Sequence, residues 1–546
     1  MTTTATLIQA LHDAATQETT VAPLSFAGLQ AYLDSGDRLT YENQYFARRK
    51  QLAVLGLSQY LAPTSAKRAL LEEVIWAILN EYTWALPAHL PQTGTTFGEA
   101  APQYLDLFNA ETGSALAELK FLLQNQLAPE LIQRIDGELE RRILTPYAAR
   151  DWSWMHKTNN WSAVVGGCIG ITALYQLPAG PRLTQFINRL DVAMTAYLSS
   201  FGADGASVEG VSYWAYGFGY YVYYADLLAS RHHDDHLLTS PKVRAIAAFP
   251  AAVQLSVQAT VPFSDYDPIE LPTGLLTYCR QHFGVATPPI TAMNTVDFDP
   301  CYRFAQLYRN LLWAPDHFDA PAPLAPADHY FPDCQWWVKR DHDLVFAAKG
   351  GRNDESHNHI DLGHFVFGTP KHLFLDDLGA GVYTRDYFVE AKRYKYFPPS
   401  AAAHALPVIG GFSQQPGPVA AHAHYTKEQL TLDLHETYPQ AAKLTAFTRT
   451  FSLSKRQFSL HDHIQTRSAS SLQECFITRF KPRIASNQVI LTAGDETCTL
   501  ALATTDIQCH TITYLDHQGQ AAIAYQIQAA YAPAAVHDLA ITGTLS

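Results

Sequence analysis

Two periodicities divide this sequence. Up to about residue 315, apolar positions recur at i, i+3, i+4 and i+7 in one stretch after another: YENQYFARRKQLAVLGLSQYL (41–61), AKRALLEEVIWAILNEYTWAL (66–86), PELIQRIDGELERRILTPYAAR (129–150), NNWSAVVGGCIGITALYQL (159–177), RLTQFINRLDVAMTAYLSSF (182–201) and YWAYGFGYYVYYADLLASR (213–231). That spacing gathers apolar side chains on one face of an α-helix, and helices in series without strands between them pack on one another. Residues 314–333, APDHFDAPAPLAPADHYFPD, break the pattern. Proline removes a backbone donor and stops a helix, so this segment reads as a linker. Beyond it the period becomes two, as in CQWWVKRD, DLVFAAKGG, LGHFVFGTPKHLFLDD, QLTLDLHETY, AFTRTFSLS, QFSLHDHIQTR, ECFITRFKPRIAS, QVILTAGDETCTLALATTD and AAIAYQIQAAY. Short alternating strands separated by turn residues predict an antiparallel β-sandwich. The expected organisation is a helical domain over 1–315, a linker over 316–333 and a β-sandwich over 334–546.

At 546 residues the chain is long enough for two or three such domains. Its net charge of −13 argues against nucleic acid as the main partner, because a polyanion needs a basic surface from which to release counterions. A small anionic ligand needs only a local basic cluster, and Lys392, Arg393 and Lys395 around Tyr394 form one in the sequence. Aromatic residues make up 12% of the chain, and exposed rings are good platforms for sugars although most will be core. The first residues carry no basic and apolar leader pattern, and no 18-residue uncharged apolar run occurs, so a cytoplasmic protein without membrane attachment is expected. Seven cysteines without CxxC spacing suggest neither a disulfide frame nor a thiolate zinc site.

The chemistry concentrates in NDESHNHIDLGHFVF (353–367). Read as the mouth of a strand, it places His357 and His359 on one face, where two imidazoles can share a metal or divide a reaction; the plain alternative is a polar surface loop. Downstream, Asp377 precedes the Gly-rich LGAGVY and His404 precedes another apolar run. Two histidines and a carboxylate at strand ends fit a three-ligand zinc site, while a turn-capping acid and a core histidine are the structural alternatives.

Five segments, GGRNDESHNHIDLGHF, LDDLGAGVYTRDYF, AHALPVIGG, NNWSAVVGG and DGASVEGVSYWAYG, resemble the signature segments of the heparinase II/III-like polysaccharide lyases, which include heparin and heparan lyases and oligoalginate lyases. The resemblance runs in order from about residue 81 to 411. It implies an incomplete (α/α) toroid followed by an antiparallel β-sandwich, in agreement with the periodicities. It also implies roles: Asn160 binds the substrate carboxylate, Tyr213 and His357 are catalytic with Tyr394 as a second tyrosine, and His359, Asp377 and His404 hold a structural Zn²⁺. Some relatives have histidine where this chain has Trp161. Trp161, Glu209, Tyr216, Trp84, His89 and Arg352 are expected to contact substrate. For Trp84 and His89 a plain helix end at Pro87 is the alternative, and for Glu209 and Asp204 turn chemistry.

The implied reaction is β-elimination on a uronic-acid-containing glycan, a glycosaminoglycan or an alginate-like chain. The weakly acidic C5 proton leaves once the neighbouring carboxylate is neutralised, the O4 substituent departs, and a C4–C5 double bond remains. The partner is then an anionic oligosaccharide, with a homo-oligomer left open. An (α/α)-toroid glycoside hydrolase, which needs two carboxylates such as Glu209 and Asp204, and a non-catalytic carbohydrate-binding protein are the competing readings.

Overall fold

The expected helices form where the polar residues before them can cap them. In the computed structural model, which describes residues 3–93, 96–98 and 100–546, the Thr64 side chain accepts from Lys67 N at the start of helix Ser65–Leu79, and Asp106 does the same for Asn109 N at the start of Leu107–Leu123. A cap of this kind contributes about 1 kcal/mol by satisfying a backbone donor that the helix leaves orphaned. The periodic stretch 66–86 is helical only to Leu79, and a 3₁₀ turn at Pro87–His89 follows. Stretch 129–150 stays helical to Ala149 through a π turn at Glu140–Leu144.

By internal contacts the chain divides into two units that interleave in sequence. The helical unit comprises Met1–Phe201, Ser212–Ala248 and Ile269–Pro321; the β-rich unit comprises Gly202–Val211, Phe249–Pro268 and Ala322–Ser546. A single cut near 315 therefore does not separate them, because two segments of the helical half of the sequence belong to the β-rich unit. The stretch read as linker also holds a strand, Ala327–Phe331.

Within the helical unit, the glycines of NNWSAVVGGCIG bring two helices together. A Cβ at Gly167 would lie 2.7 Å from the Tyr220 carbonyl oxygen, and one at Gly170 would lie 2.3 Å from the Tyr224 ring. Both contacts advance in the same direction along helices Asn160–Gln176 and Val211–His232, so the helices run parallel. Asn160 and Tyr213 each stand seven residues before the Gly167–Tyr220 contact and thus lie at the same end of the pair. Gly170→Ala should destabilise the unit by about 1–3 kcal/mol, the usual cost of overpacking, read as a lowered thermal unfolding midpoint. An unchanged midpoint would mean that the helices can move apart.

The β-rich unit contains two antiparallel sheets. The smaller runs in strand order Ala327–Phe331, Trp336–Arg340, Val345–Lys349, Phe365–Gly368, Leu373–Leu375. The larger is built on two long partners, Gln457–Thr478 and Ala521–Leu545, paired from Gln457↔Thr544 to Thr478↔Tyr525. The alternating runs at 457–467 and 474–486 largely belong to one strand, since the polar residues between them continue it across a bulge. Alternation puts Phe346, Phe365 and Phe367 from the small sheet against Phe451 and Phe458 from the large one, with Phe367 and Phe458 ring centroids 4.7 Å apart. Burying each such ring contributes roughly 1.5–3 kcal/mol. The architecture is the one expected: a helical toroid unit followed by an antiparallel β-sandwich. No helix among the described residues is long and apolar enough to cross a membrane. All seven cysteines are free thiols.

Candidate active site

The two histidines of HNH do not gain their proximity from strand alternation. Residues 353–364 form turns and irregular backbone ahead of strand Phe365–Gly368, and His357 adopts φ +57°. Left-handed backbone at a non-glycine residue costs of order 1 kcal/mol or more and persists only where the surroundings impose it. Here they do so through Asp265. His357 Nδ1 lies 2.9 Å from Asp265 Oδ2, His359 Nε2 lies 3.1 Å from Asp265 Oδ1, and the Asp265 backbone N–H donates to the His357 carbonyl at 3.1 Å. Arg393 Nη2 (2.9 Å) and Tyr387 Oη (2.7 Å) donate to the same carboxylate. Burial works against ionisation of Asp265, but the Arg393 guanidinium and the two imidazoles hold its carboxyl well below the usual range.

Behind this hub His359, Asp361, Asp377 and His404 converge, all buried, with one donor atom of each within 4.8 Å of the others. The hydrogen bonds around them decide which nitrogen of each ring turns to the cluster. The Ser400 carbonyl can only accept, so His404 Nδ1 donates to it (2.8 Å) and Nε2 is left for another partner; His359 turns Nε2 to the ionised Asp265, which leaves its Nδ1 for another partner. These two nitrogens face each other at 3.2 Å. Asp361 Oδ1 and Asp377 Oδ2 are buried without a hydrogen bond. Two imidazole nitrogens and two carboxylate oxygens converging in this way fit a divalent cation such as Zn²⁺. His364 serves differently: its Nδ1 accepts from Ala405 N (2.9 Å), which leaves the proton on Nε2, 3.4 Å from Asp377 Oδ2. Lys349 Nζ holds the other oxygen of Asp361 at 2.8 Å, and despite burial that carboxylate keeps the ammonium charged.

The turn-cap reading of Asp377 holds for its other oxygen. Gly379 N donates to Asp377 Oδ1 at 2.8 Å, and Gly379 adopts φ +67° where a Cβ would sit 2.3 Å from the Tyr266 carbonyl, so LGAG needs glycine there. Tyr394 Oη donates to Asn358 Oδ1 at 2.9 Å, and burial raises its pKa above that of an ordinary phenol. Glu209, itself buried, brings Oε1 within 3.8 Å of His357 Nε2.

In the helical unit, Asn160 is the first residue of its helix and is buried, while Asn159 supplies the cap by accepting from Trp161 N. His89 bonds Asp106 Oδ2 at 2.7 Å and packs on Trp161 with ring centroids 5.1 Å apart, and Lys157 Nζ stands 4.5 Å over the Trp161 ring. Three expected substrate contacts are otherwise engaged. Trp84 is fully buried, with its Nε1–H given to the Ile78 carbonyl and Arg142 over its face, so it belongs to the core. Tyr216 is buried and donates to Glu111, whose carboxyl burial pushes up to about 7. Arg352 is exposed but gripped by both oxygens of Asp354 at 2.8 and 2.9 Å. The basic cluster around Tyr394 likewise dissolves: Arg393 is buried on Asp265 and Lys392 pairs with Asp386 at 2.8 Å. Asp204 caps its own turn at Ala206 N, as the turn reading expects.

Asp265, His364, Lys349 and Tyr387 were not singled out from the sequence; Asp361 stood out there without a role, and Arg393 only as part of a basic cluster for an anionic ligand. His364 stands within the HNH segment itself and could have been found there. Asp265, in FSDYDP, lies 92 residues from His357 with no pattern linking the two.

No protein-family model matches the chain, and no curated protein sequence does. Solved structures match in three dimensions. Heparinase III superimposes with a TM-score of 0.64 at 13% identity, over 98% of this chain and 89% of that one. A heparan sulfate lyase HepC mutant from Pedobacter heparinus gives 0.61 at 12% identity, over 93% and 77%. The chondroitin AC lyase of Streptomyces coelicolor A3, in complex with chondroitin sulphate, gives 0.55 at 10% identity, over 98% and 79%. The chain has the fold of these polysaccharide lyases, the one implied by its five heparinase II/III-like segments.

Proposed function

We propose that this protein is a polysaccharide or oligosaccharide lyase that cleaves uronic-acid-containing glycans by β-elimination. The observation that carries the reading is His357, presented by a strained turn and held by a buried carboxylate beside a cluster able to bind a metal, in a chain that shares its fold with heparan sulfate and chondroitin lyases. The substrate is an anionic oligosaccharide, with glycosaminoglycans the class favoured by the structural relatives.

In this reading His357, accepting through Nε2, is the base that takes the C5 proton, a step for which an imidazole suits neutral pH. Asn160 binds the substrate carboxylate and holds the charge that develops on it. Tyr213 acts at the sugar as acid or base according to the C5 configuration. Tyr394, kept protonated by burial, suits donation rather than abstraction. Zn²⁺ on His359, Asp377 and His404 would supply structural pinning of the turn that presents His357.

The test is incubation with heparan, chondroitin, hyaluronan and alginate oligosaccharides while near-ultraviolet absorbance is followed. A lyase creates a conjugated unsaturated uronate that absorbs; a hydrolase yields reducing ends without absorbance; a binding protein yields neither. Tyr213→Phe should cut turnover by about 10²–10⁴-fold, the share of a positioned proton-transfer group, with its thermal midpoint unchanged. Full activity in that variant would remove Tyr213 from the mechanism.

A further inference from the structure

Asp265 is 2% exposed, and each of its oxygens serves a different ring: Oδ2 faces His357 Nδ1 at 2.9 Å and Oδ1 faces His359 Nε2 at 3.1 Å. Its backbone is held as well. Ser264, at φ +68°, donates its hydroxyl to the Val208 carbonyl at 2.9 Å, and Asp265 N donates to the His357 carbonyl. Arg393 donates both to Asp265 Oδ2 and to the carbonyl of Asn358, the residue between the two histidines. Carboxylate, guanidinium and the HNH backbone thus form one closed network.

We propose that Asp265 is a positioning residue that selects the tautomers of both histidines at once, preparing His357 Nε2 to accept a proton and His359 Nδ1 to ligate a metal. The inference rests on the lyase reading above. An ionised carboxylate offers only acceptors, so each ring presents an N–H to it and, in its neutral form, carries its lone pair on the opposite nitrogen. For His357 that is Nε2, the nitrogen assigned to the C5 proton; for His359 it is Nδ1, the nitrogen facing His404. One side chain thereby couples the metal cluster to the base.

An amide in the same place cannot do this. Asparagine has one acceptor and one donor, so it can satisfy only one ring in the required tautomer. Arg393 donates to Oδ2 and Tyr387 Oη to Oδ1; the guanidinium can only donate whereas the hydroxyl can rotate to accept, so the amide oxygen settles beside Arg393 and the NH₂ group turns to His359, whose Nε2 must then accept and whose proton moves to Nδ1. The isosteric Asp265→Asn should therefore lose metal first. Retained zinc after a chelator challenge should correspond to a 10–100-fold weaker site, the range seen when groups orienting metal ligands are replaced. Turnover should fall by about 10²–10⁴-fold with KM changed only a few-fold.

A merely space-filling aspartate would tolerate asparagine, so wild-type zinc content and turnover in Asp265→Asn would overturn the proposal. A second measurement does not depend on how that variant folds. Imidazole ¹⁵N NMR of the wild-type protein should find His357 protonated at Nδ1 and bare at Nε2; the opposite tautomer would overturn the proposal equally. If the wild-type protein forms no absorbing product from any uronate glycan, it is the lyase reading that fails, while zinc retention and tautomer still judge the role of Asp265.

Discussion

Replacing Arg449 by methionine should destabilise the β-rich unit by about 3–5 kcal/mol, because it leaves the buried, charge-sharing Asp462 and Glu474 carboxyl groups without their cation. Arg449 is completely buried on strand Leu444–Ser454, directly opposite Asp462, and bonds both oxygens of Asp462 as well as Glu474 Oε2 at 3.0 Å. Its remaining nitrogen donates to the carbonyls of Gly363 (3.0 Å) and Ala405 (2.6 Å). Those two residues adjoin His364 and His404, so one guanidinium ties the large sheet to both segments that build the His–Asp cluster. The variant should also hold metal more weakly than wild type. Urea unfolding monitored by far-ultraviolet dichroism measures the first effect and metal analysis the second. Replacing Arg449, Asp462 and Glu474 together by apolar residues should recover most of the stability, since the cost lies in unpaired buried charge. An unchanged urea midpoint for Arg449→Met alone would show that water reaches the two carboxylates.

The second large effect concerns the cluster itself. His404→Ala removes an imidazole nitrogen from a set that also contains two buried carboxylates, and the variant should purify with little zinc. A metal bound only by the folded state stabilises it by RT ln(1 + [L]/Kd), about 4 kcal/mol at a thousandfold excess over Kd. Chelator-treated wild type and His404→Ala should accordingly share a lowered thermal midpoint and a loss of lyase turnover. Zinc should restore the wild-type protein and not the variant. A wild-type protein isolated without metal, whose midpoint responds to neither chelator nor zinc, would refute the metal assignment.

Periodicity made the two structural classes legible because each rests on local spacing, 3.6 residues for buried helix faces and 2 for sandwich strands. Strand Ile507–Leu515 escaped notice since its exposed face is irregular, and Ala327–Phe331 because prolines precede it. At the site, the sequence pointed to His359, Asp377 and His404 together, and the structure brings them together with Asp361; strand alternation, the reason expected for the histidine pair, is not the physical one. A turn residue in left-handed backbone has no period. Trp84 and Tyr216 were mistaken for substrate contacts because an aromatic ring at helical spacing looks the same whether it lines a cleft or fills a core. Asp265 was invisible for a different reason: its meaning depends on closing a 92-residue loop, and nothing local to FSDYDP records which side chains meet it.

The interleaving of the two units bears on how such a chain can be inherited. A gene fragment beginning at the first sandwich strand would carry the HNH segment but leave behind residues 249–268, and with them the carboxylate that orients both imidazoles. The halves of this protein are therefore not exchangeable parts, and recombination that swaps sandwiches between relatives must bring along a short loop from the middle of the neighbouring helical sequence.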